Sequence, residues 1–169
     1  AQTIDFNLGS ANYGLQCLDA DGILPPPDGE PQYVVDVRTN SLKIYKIEVD
    51  WDDLNNSTAS TLSTLPVPNF STSIVISQPG TNEKLDSQSD KTMYRAQYRN
   101  FGDYEVMMVN HTISVGGARS GIRWYELRKE DEGTWYIYQQ GTFGPDDSEG
   151  RWMGSIAMNQ NGDIGLGYS

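Results

Sequence analysis

The sequence predicts an all-β fold, and three observations support this prediction. The chain of 169 residues contains many short runs in which apolar and polar residues alternate, separated by clusters rich in its 17 glycines and 8 prolines. This pattern is typical of strands joined by tight turns. No stretch carries the periodicity or the caps of an α-helix. In addition, two pairs of segments repeat at fixed spacings along the chain.

The clearest repeat relates residues 93–106 to residues 153–166, at a constant shift of sixty residues. The match keeps a methionine at the start of each copy and a Gly-Asp pair within it. A second echo relates residues 42–47 to residues 122–127, at a shift of eighty. The two shifts differ by twenty, which is the length of the polar segment 71–90. We therefore interpret this segment as an insertion between two repeats of sixty residues.

A period of sixty residues suits a four-stranded unit with long loops, since the blades of β-propellers typically span about 40 to 50 residues. We therefore expect a β-propeller fragment of antiparallel four-stranded blades, about two and a half of them. Residues 1–70 would hold the end of a preceding blade with a Pro-rich loop, and 71–90 the inserted loop. Residues 91–143 would form a complete blade, and 144–169 the start of the next.

The first half of the chain offers five strand candidates. Residues 3–8 and 13–20 come first, followed by a loop whose three consecutive prolines preclude regular pairing. Residues 32–39 and 41–51 alternate well enough to form a hairpin. Residues 61–70 contain two prolines, which lack the N–H group that a ladder needs, so we expect them at the edge of a sheet.

The second half contains the more regular candidates. Residues 92–101 alternate, and residues 103–115 follow with an apolar run on both faces at 106–109. Such a run is typical of a central strand covered on both sides. Residues 122–129 and 134–143 then predict a hairpin across a Glu-Asp-Glu-Gly turn. The insertion carries a short apolar run, and its remainder is expected to be a surface loop.

The composition narrows the classes of partner. The formal net charge is −11, with thirteen acids and four bases in residues 1–90. An acidic surface repels phosphate backbones, so nucleic acid is not an expected partner. No apolar run of about eighteen residues exists, so no transmembrane segment is predicted. The single Cys17, expected to be buried, and the single His111 do not favour a zinc site or a Cys/His nucleophile pair.

The phrases YRNFGDYE, VNHT, IRWYEL, YQQGTF, RWMGSIAM and GLGYS occur in this order. With VDWDDLNNST and LPVPNF upstream, they make residues 41–169 resemble a segment of large secreted bacterial proteins, many from Bacteroidetes. The resemblance implies an exported protein, secreted or at the cell surface, with a β-propeller domain. Such proteins often use type IX secretion, so the secretion machinery is an expected partner. Because the chain stops partway through a repeat, it is expected to be a fragment of a longer protein.

The second hairpin also resembles the Asp-box of sialidase-like propellers, in which an acidic residue, Gly, Thr and Trp lock a turn between outer strands. Asp131, Gly133, Thr134 and Trp135 fill those places, although Lys129 stands where the motif usually opens with serine. The box is structural in its own family. The likeness therefore supports the fold and says nothing about catalysis.

The same likeness suggests candidate ligand-binding residues, because sialidase-like propellers bind a carboxylate with several arginines from inner strands. Arg95 and Arg99 share a face of a predicted inner strand, and Arg151 begins the next copy. Together they would clamp an acidic sugar through paired hydrogen bonds. Asp103 and Trp152 complete the candidate set, the latter because aromatic rings stack on sugar faces.

The candidate arginines, the single histidine and the acidic turns each have an alternative role. The arginines would instead form ion pairs with Asp103, Glu105 or Glu126. His111 and Glu105 lie six residues apart on one strand, roughly 20 Å if extended, so a structural histidine is favoured over acid–base chemistry.

Residues 19–22 and 159–163 resemble calcium loops but lack the distal acid. Asp-Gly and Asn-Gly are also preferred turn residues, so both segments are expected to be ordinary turns. No cofactor is therefore expected, and bound calcium is the alternative.

These observations predict an exported β-propeller scaffold that binds a glycan or a protein without catalysing a reaction. The first alternative is a sialidase-like or other glycoside hydrolase with its active site on the propeller axis. The second is a cargo fragment of a secretion system, held by a transporter or carrier. No catalytic residue and no metal ligand is assigned.

Overall fold

The computed structural model describes residues 2–12, 14–131 and 133–169, and its regular structure is almost entirely β. The prediction of an all-β fold is therefore confirmed. Tyr13 and Glu132, which fall in a predicted strand and in the predicted hairpin turn, lie outside the described residues. A turn of 3₁₀-helix, Leu54–Asn56, accompanies the strands. Twelve strands are described: β1 Gln16–Asp21, β2 Gln32–Arg38, β3 Ser41–Glu48, β4 Thr58–Pro66, β5 Val75–Ser77, β6 Lys84–Asp86, β7 Ala96–Asn100, β8 Glu105–Gly116, β9 Arg119–Lys129, β10 Tyr136–Phe143, β11 Ser155–Met158 and β12 Ile164–Gly167.

Eight strands form one sheet, in the order β10-β9-β8-β7-β1-β2-β3-β4. It consists of two antiparallel four-stranded meanders, β1 to β4 and β7 to β10, joined by the parallel pair β1 and β7. In that pair Leu18 lies opposite Ala96 and Asp21 opposite Arg99. Because β1 and β7 run in the same direction, the connections β1–β2, β3–β4, β7–β8 and β9–β10 all lie at one end of the sheet. We call this end, which carries residues 22–31, the Pro-rich end.

One face of this sheet encloses the main core, to which both meanders contribute. Tyr33 of β2 contacts Trp135 edge-on, with ring centroids 5.4 Å apart. Each fully buried aliphatic side chain stabilises such a core by about 1.5–3 kcal/mol. The sheet must therefore curl, so that the two meanders face each other. The buried members are Leu18, Tyr33, Val35, Val37, Leu42, Ile44, Val67, Ala96, Tyr98, Met107, Val109, Tyr125, Leu127 and Trp135.

A second core lies on the opposite face of β8. Met107 and Val109 point into the main core, whereas Val106 and Met108 pack against Ile156 and Met158 of the β11–β12 hairpin. The predicted central strand with two apolar faces is therefore confirmed. Gln97 of β7 fixes the hairpin in place, since its side chain donates to the carbonyl of Met158 at 3.2 Å and accepts from the N–H of the same residue at 2.6 Å.

The repeated segments occupy corresponding places in these layers. Residues 42–47 lie in β3 and residues 122–127 in β9, which is the third strand of each meander. Gly102 and Gly162 each occupy the turn of a hairpin with φ angles of 94° and 85°. A left-handed backbone costs glycine little because it has no Cβ. The blade boundaries drawn from this repeat stay predictions.

Three sequence-based expectations differ from the structure. Residues 3–8 form no strand: Ile4, Phe6 and Leu8 do alternate as half-buried residues, but no described strand pairs with them. The insertion is more regular than expected, since it contains the hairpin of β5 and β6. Cys17 is exposed, whereas it was expected to be buried. Successive side chains of a strand point to opposite faces, and in β1 Leu18 is the residue that faces the core. The Pro-containing strand β4 does lie at the sheet edge, as predicted.

Gly154 supplies a direct test of how β11 packs on β8 and β9. A Cβ at this position would lie 2.9 Å from the Cγ2 atom of Ile122 and would also collide with the side chain of Asn110, which is fully buried. We expect Gly154→Ala to lower the free energy of unfolding by about 1–3 kcal/mol, as overpacking does. Urea denaturation measures the change. Gly165→Ala in β12 is the control, since no atom lies within 4 Å of its Cβ position; equal stabilities of the two variants would contradict this packing.

Candidate functional site

The Pro-rich end gathers side chains that are far apart in the sequence. The β1–β2 loop, residues 22–31, is anchored to the end of β7, where Asn100 donates from Nδ2 to the carbonyl of Pro25 at 2.6 Å. Within the loop, the N–H of Glu30 donates to the carbonyl of Pro27 at 3.0 Å. The prolines keep this segment out of the sheet. The loop therefore forms a wall beside the β3–β4 and β9–β10 connections.

A groove runs between these connections and is open to solvent. It consists of two adjoining depressions of about 450 and 230 Å³, which share Glu30, Pro31 and Glu48. We call it the Glu30 groove. Trp51 lies at one of its sides with 72% of its surface exposed, which is unusual for so large an apolar side chain. The first depression is lined by Pro26, Gly29, Glu30, Pro31, Gln32, Ile47, Glu48, Val49 and Trp51.

The backbone on both sides of Trp51 is fixed by hydrogen bonds. The Asp50 carboxylate accepts from the N–H groups of Asp52 at 3.0 Å and Asp53 at 2.9 Å, and from Nδ2 of Asn56 at 3.1 Å. These bonds, that from Asp53 foremost, lower the pKa of Asp50, because they stabilise its charged form. The indole is thus presented on a rigid turn while its ring stays uncovered.

The floor of the groove is a buried polar network centred on Lys129. Its ammonium forms ion pairs with Glu30 and, at 2.9 Å, with Glu105, and it donates to the hydroxyl of Tyr33 at 3.3 Å. Tyr33 donates to Glu30, and Tyr98 donates to Glu105 at 2.5 Å. Lys129 and Glu105 are only 6% and 5% exposed. The network therefore connects four strands and the Pro-rich loop beneath the solvent-filled groove.

The electrostatics of this floor do not create a nucleophile. Burial, together with the hydrogen bond to Glu30, raises the pKa of Tyr33 to about 12. Burial and Glu105 likewise raise the pKa of Tyr98. Burial alone would lower the pKa of Lys129, but its hydrogen bonds to Glu30 and Glu105 outweigh that effect and raise it. At neutral pH the phenols and the ammonium all keep their protons, so they act as hydrogen-bond donors.

The predicted arginine residues meet different partners from those expected. Arg95 forms ion pairs with Asp21 and, at 2.9 Å between Nε and Oδ2, with Asp19 on β1. Asp21 also accepts from Nε2 of Gln97 at 2.8 Å. The parallel pairing of β1 with β7 creates this contact, and nothing local in the sequence announces it. Arg99 lies within β7, and a Cβ added to Gly22 would lie 3.1 Å from its Nη1 atom.

Of the other predicted site residues, Arg151 and Trp152 lie apart from Arg95 and Arg99. Arg151 forms a bidentate ion pair with Asp147. The hydrogen bonds from its guanidinium lower the pKa of Asp147 to about 2. The backbone N–H of Arg151 donates to the carbonyl of Ser120 at 2.9 Å, near the start of β9 and away from the Pro-rich end. Trp152 is half-buried beside it, and Asp103 is exposed in the β7–β8 turn.

Neither of the other two motifs assembles into a reactive or metal-binding group. His111 is fully buried and contacts the Tyr125 hydroxyl at 3.1 Å through Nε2, as expected for a structural histidine. In the turn 159–163, the side chain of Asn159 accepts from the N–H groups of Asn161 at 2.8 Å and Asp163 at 3.0 Å. Among the described residues no three His, Cys, Asp or Glu side chains are arranged to hold a metal ion.

The sequence analysis did not single out the Glu30 groove. The one local signal was Trp51, which stands in a run of acids where a buried tryptophan is not expected. Within the described parts of the chain, no helix has the length and apolarity needed to cross a bilayer. Comparison of the chain with protein-family models, with curated proteins and with solved structures finds no match.

Proposed function

We propose that this chain is part of an exported β-propeller scaffold and that the Glu30 groove binds a glycan. The arrangement of the sheet supports the propeller. Two four-stranded antiparallel meanders face each other, their first strands β1 and β7 run parallel, and the β11–β12 hairpin packs on the outer face of the second meander. A four-stranded antiparallel meander is the unit of a propeller blade, although here hydrogen bonds between β1 and β7 join the two meanders into one sheet. Export rests on the resemblance of residues 41–169 to secreted bacterial proteins.

The observation that carries the binding proposal is the exposed indole of Trp51 beside a groove lined by carboxylates. A flat aromatic face stacks on the apolar face of a sugar ring, and carboxylates accept hydrogen bonds from its hydroxyls. Glu30 and Glu48 supply such oxygens on the groove surface. The bonded network beneath Glu30 holds that carboxylate in place, which reduces the entropy lost on binding.

The geometry favours binding over hydrolysis. A glycosidase needs two carboxylates on opposite sides of the scissile bond, one of them able to give up a proton. Here the two carboxylates that line the groove are both ion-paired to lysines, Glu30 to Lys129 and Glu48 to Lys46. Two of the three arginines of the hydrolase hypothesis are engaged too, since Arg95 is held by acids on β1 and Arg151 by Asp147. These contacts support a scaffold that binds without turnover.

We expect Trp51→Ala to weaken glycan binding by about thirtyfold, the equivalent of ~2 kcal/mol for a tryptophan that anchors an interface. A glycan-array screen identifies the ligands of the wild-type chain, and calorimetry then measures the loss for the best of them. The control is Tyr94→Ala, since Tyr94 is 74% exposed and Trp51 is 72% exposed.

Two outcomes would contradict the proposal. Unchanged affinity of the Trp51→Ala variant, together with a loss in the Tyr94→Ala variant, would move the site to the surface beside Arg95. If mass spectrometry detects shorter saccharides released from the array ligands, the glycoside hydrolase hypothesis is favoured instead. Neither substitution touches the core, so folding is not expected to confuse the result.

A further inference from the structure

We infer that the ligand of the Glu30 groove is a cationic amino sugar, whose ring stacks on Trp51 while its protonated amine faces the carboxylates around the groove. This inference rests on the proposed glycan-binding function and names the class of glycan. It opposes the acidic sugar that the predicted arginine cluster would have selected.

The charge of the groove walls is the first argument. The wall formed by the Pro-rich loop, residues 22–31, contains two acids and no base, and the wall formed by residues 48–53 contains four acids and no base. Part of this charge is neutralised internally. Lys129 pairs with Glu30, and Lys46 pairs with Glu48 at 2.8 Å. The other four acids of the two walls form no ion pair among the described residues.

Two of these unpaired acids, Asp28 and Asp52, adjoin groove residues in the sequence. Asp28 belongs to the Pro-rich loop, beside the groove residue Gly29, and Asp52 follows Trp51 on the other wall. Both are exposed, and neither has an ion-pair partner among the described residues. By contrast, the Asp53 side chain is occupied, because it accepts from the N–H of Asn55 at 3.1 Å.

The sign of the field then discriminates between sugars. An anionic sugar would bring its carboxylate towards like charge, which costs affinity and slows association. A neutral sugar can hydrogen-bond to the same oxygens but gains no attraction from their charge. A protonated amine gains both, since charge-assisted hydrogen bonds are stronger than neutral ones. The groove is therefore complementary to a sugar that carries a positive charge.

The test compares two oligosaccharides that share the ring and the linkage, an oligomer of glucosamine, which is fully deacetylated, and an oligomer of N-acetylglucosamine. Calorimetry measures the affinity for each at a pH where the free amines are protonated. We expect the deacetylated oligomer to bind about fivefold more tightly, the equivalent of ~1 kcal/mol for exposed ion pairing. Asp28→Asn combined with Asp52→Asn should remove that preference and leave the affinity for the acetylated oligomer unchanged. Trp51→Ala should weaken both.

The control carries the same charge change at acids outside the groove, Asp86→Asn combined with Asp146→Asn, and should keep the preference. Equal affinity for both oligomers, a preference for the acetylated one, or no binding of either overturns the inference. So does a preference that is lost in the control, because it would then reflect net charge alone. In each case, a neutral array ligand that depends on Trp51 would leave the proposed function standing.

Discussion

Replacing Lys129 by methionine is expected to lower the free energy of unfolding by about 3–5 kcal/mol, as removal of one partner from a buried ion pair does. The substitution keeps most of the side-chain volume but leaves Glu105, only 5% exposed, without its counter-ion. Glu30 loses the same partner and remains bonded to Tyr33. Urea denaturation at neutral pH measures the loss.

Lys46→Met is the matched control for this prediction. Lys46 pairs with Glu48 at 2.8 Å, but its side chain is 33% exposed and that of Glu48 is 50% exposed. Water screens such a pair, so we expect a loss below about 1 kcal/mol. If the Lys129 and Lys46 variants lose equal amounts of stability, the network under the groove does not hold the Pro-rich loop in the way proposed.

The stability of the protein is expected to fall as the pH drops from about 6.5 towards 3, with His111 as a principal cause. Burial of its ring, assisted by the charge of Arg123, lowers the pKa of His111 to about 3 in the folded chain. Between these values the unfolded chain binds a proton that the folded chain does not, so acid favours unfolding. The contribution of this one group is about 1.4 kcal/mol per pH unit.

His111→Gln should remove that contribution. Denaturation curves of the wild-type and variant chains across this range give the two stabilities, and their difference should shrink steadily as the pH falls. Asp36 does not confuse the comparison: burial raises its pKa, so its contribution has the opposite sign, and it is present in both proteins. Curves that stay parallel across the range would show that His111 titrates with its ordinary pKa in the folded chain.

Local pattern was enough to predict much of the sheet. The apolar run at 106–109 predicts a strand covered on both faces, and the two prolines of residues 61–70 predict a strand at an edge. Both follow from interactions that a single strand makes wherever it lies. Residues 3–8 show the limit of this reasoning, because their alternation is present but a strand also needs a partner, which no local pattern supplies.

The candidate site depends on relations that are not local. The Glu30 groove exists because the β1–β2, β3–β4 and β9–β10 connections meet at one end of the sheet, and they meet there because β1 and β7 run parallel. That pairing also gives Arg95 its partners on β1, in place of the acids that its own strand and its neighbours offer. Residue types alone drew attention to the arginines, whereas the exposed Trp51 becomes notable once its surroundings are known.

The parallel pairing of β1 with β7 also sets the order in which the chain is expected to fold. Each meander is built from hairpins, whose contacts are close in sequence and form quickly. The β1–β7 ladder instead pairs two strands that are separated in the sequence by β2 to β6. Its formation therefore closes a long loop at an entropic cost. The meanders therefore form early and dock late. Since the second depression of the Glu30 groove is lined by residues of both meanders, the groove is completed only in that last step.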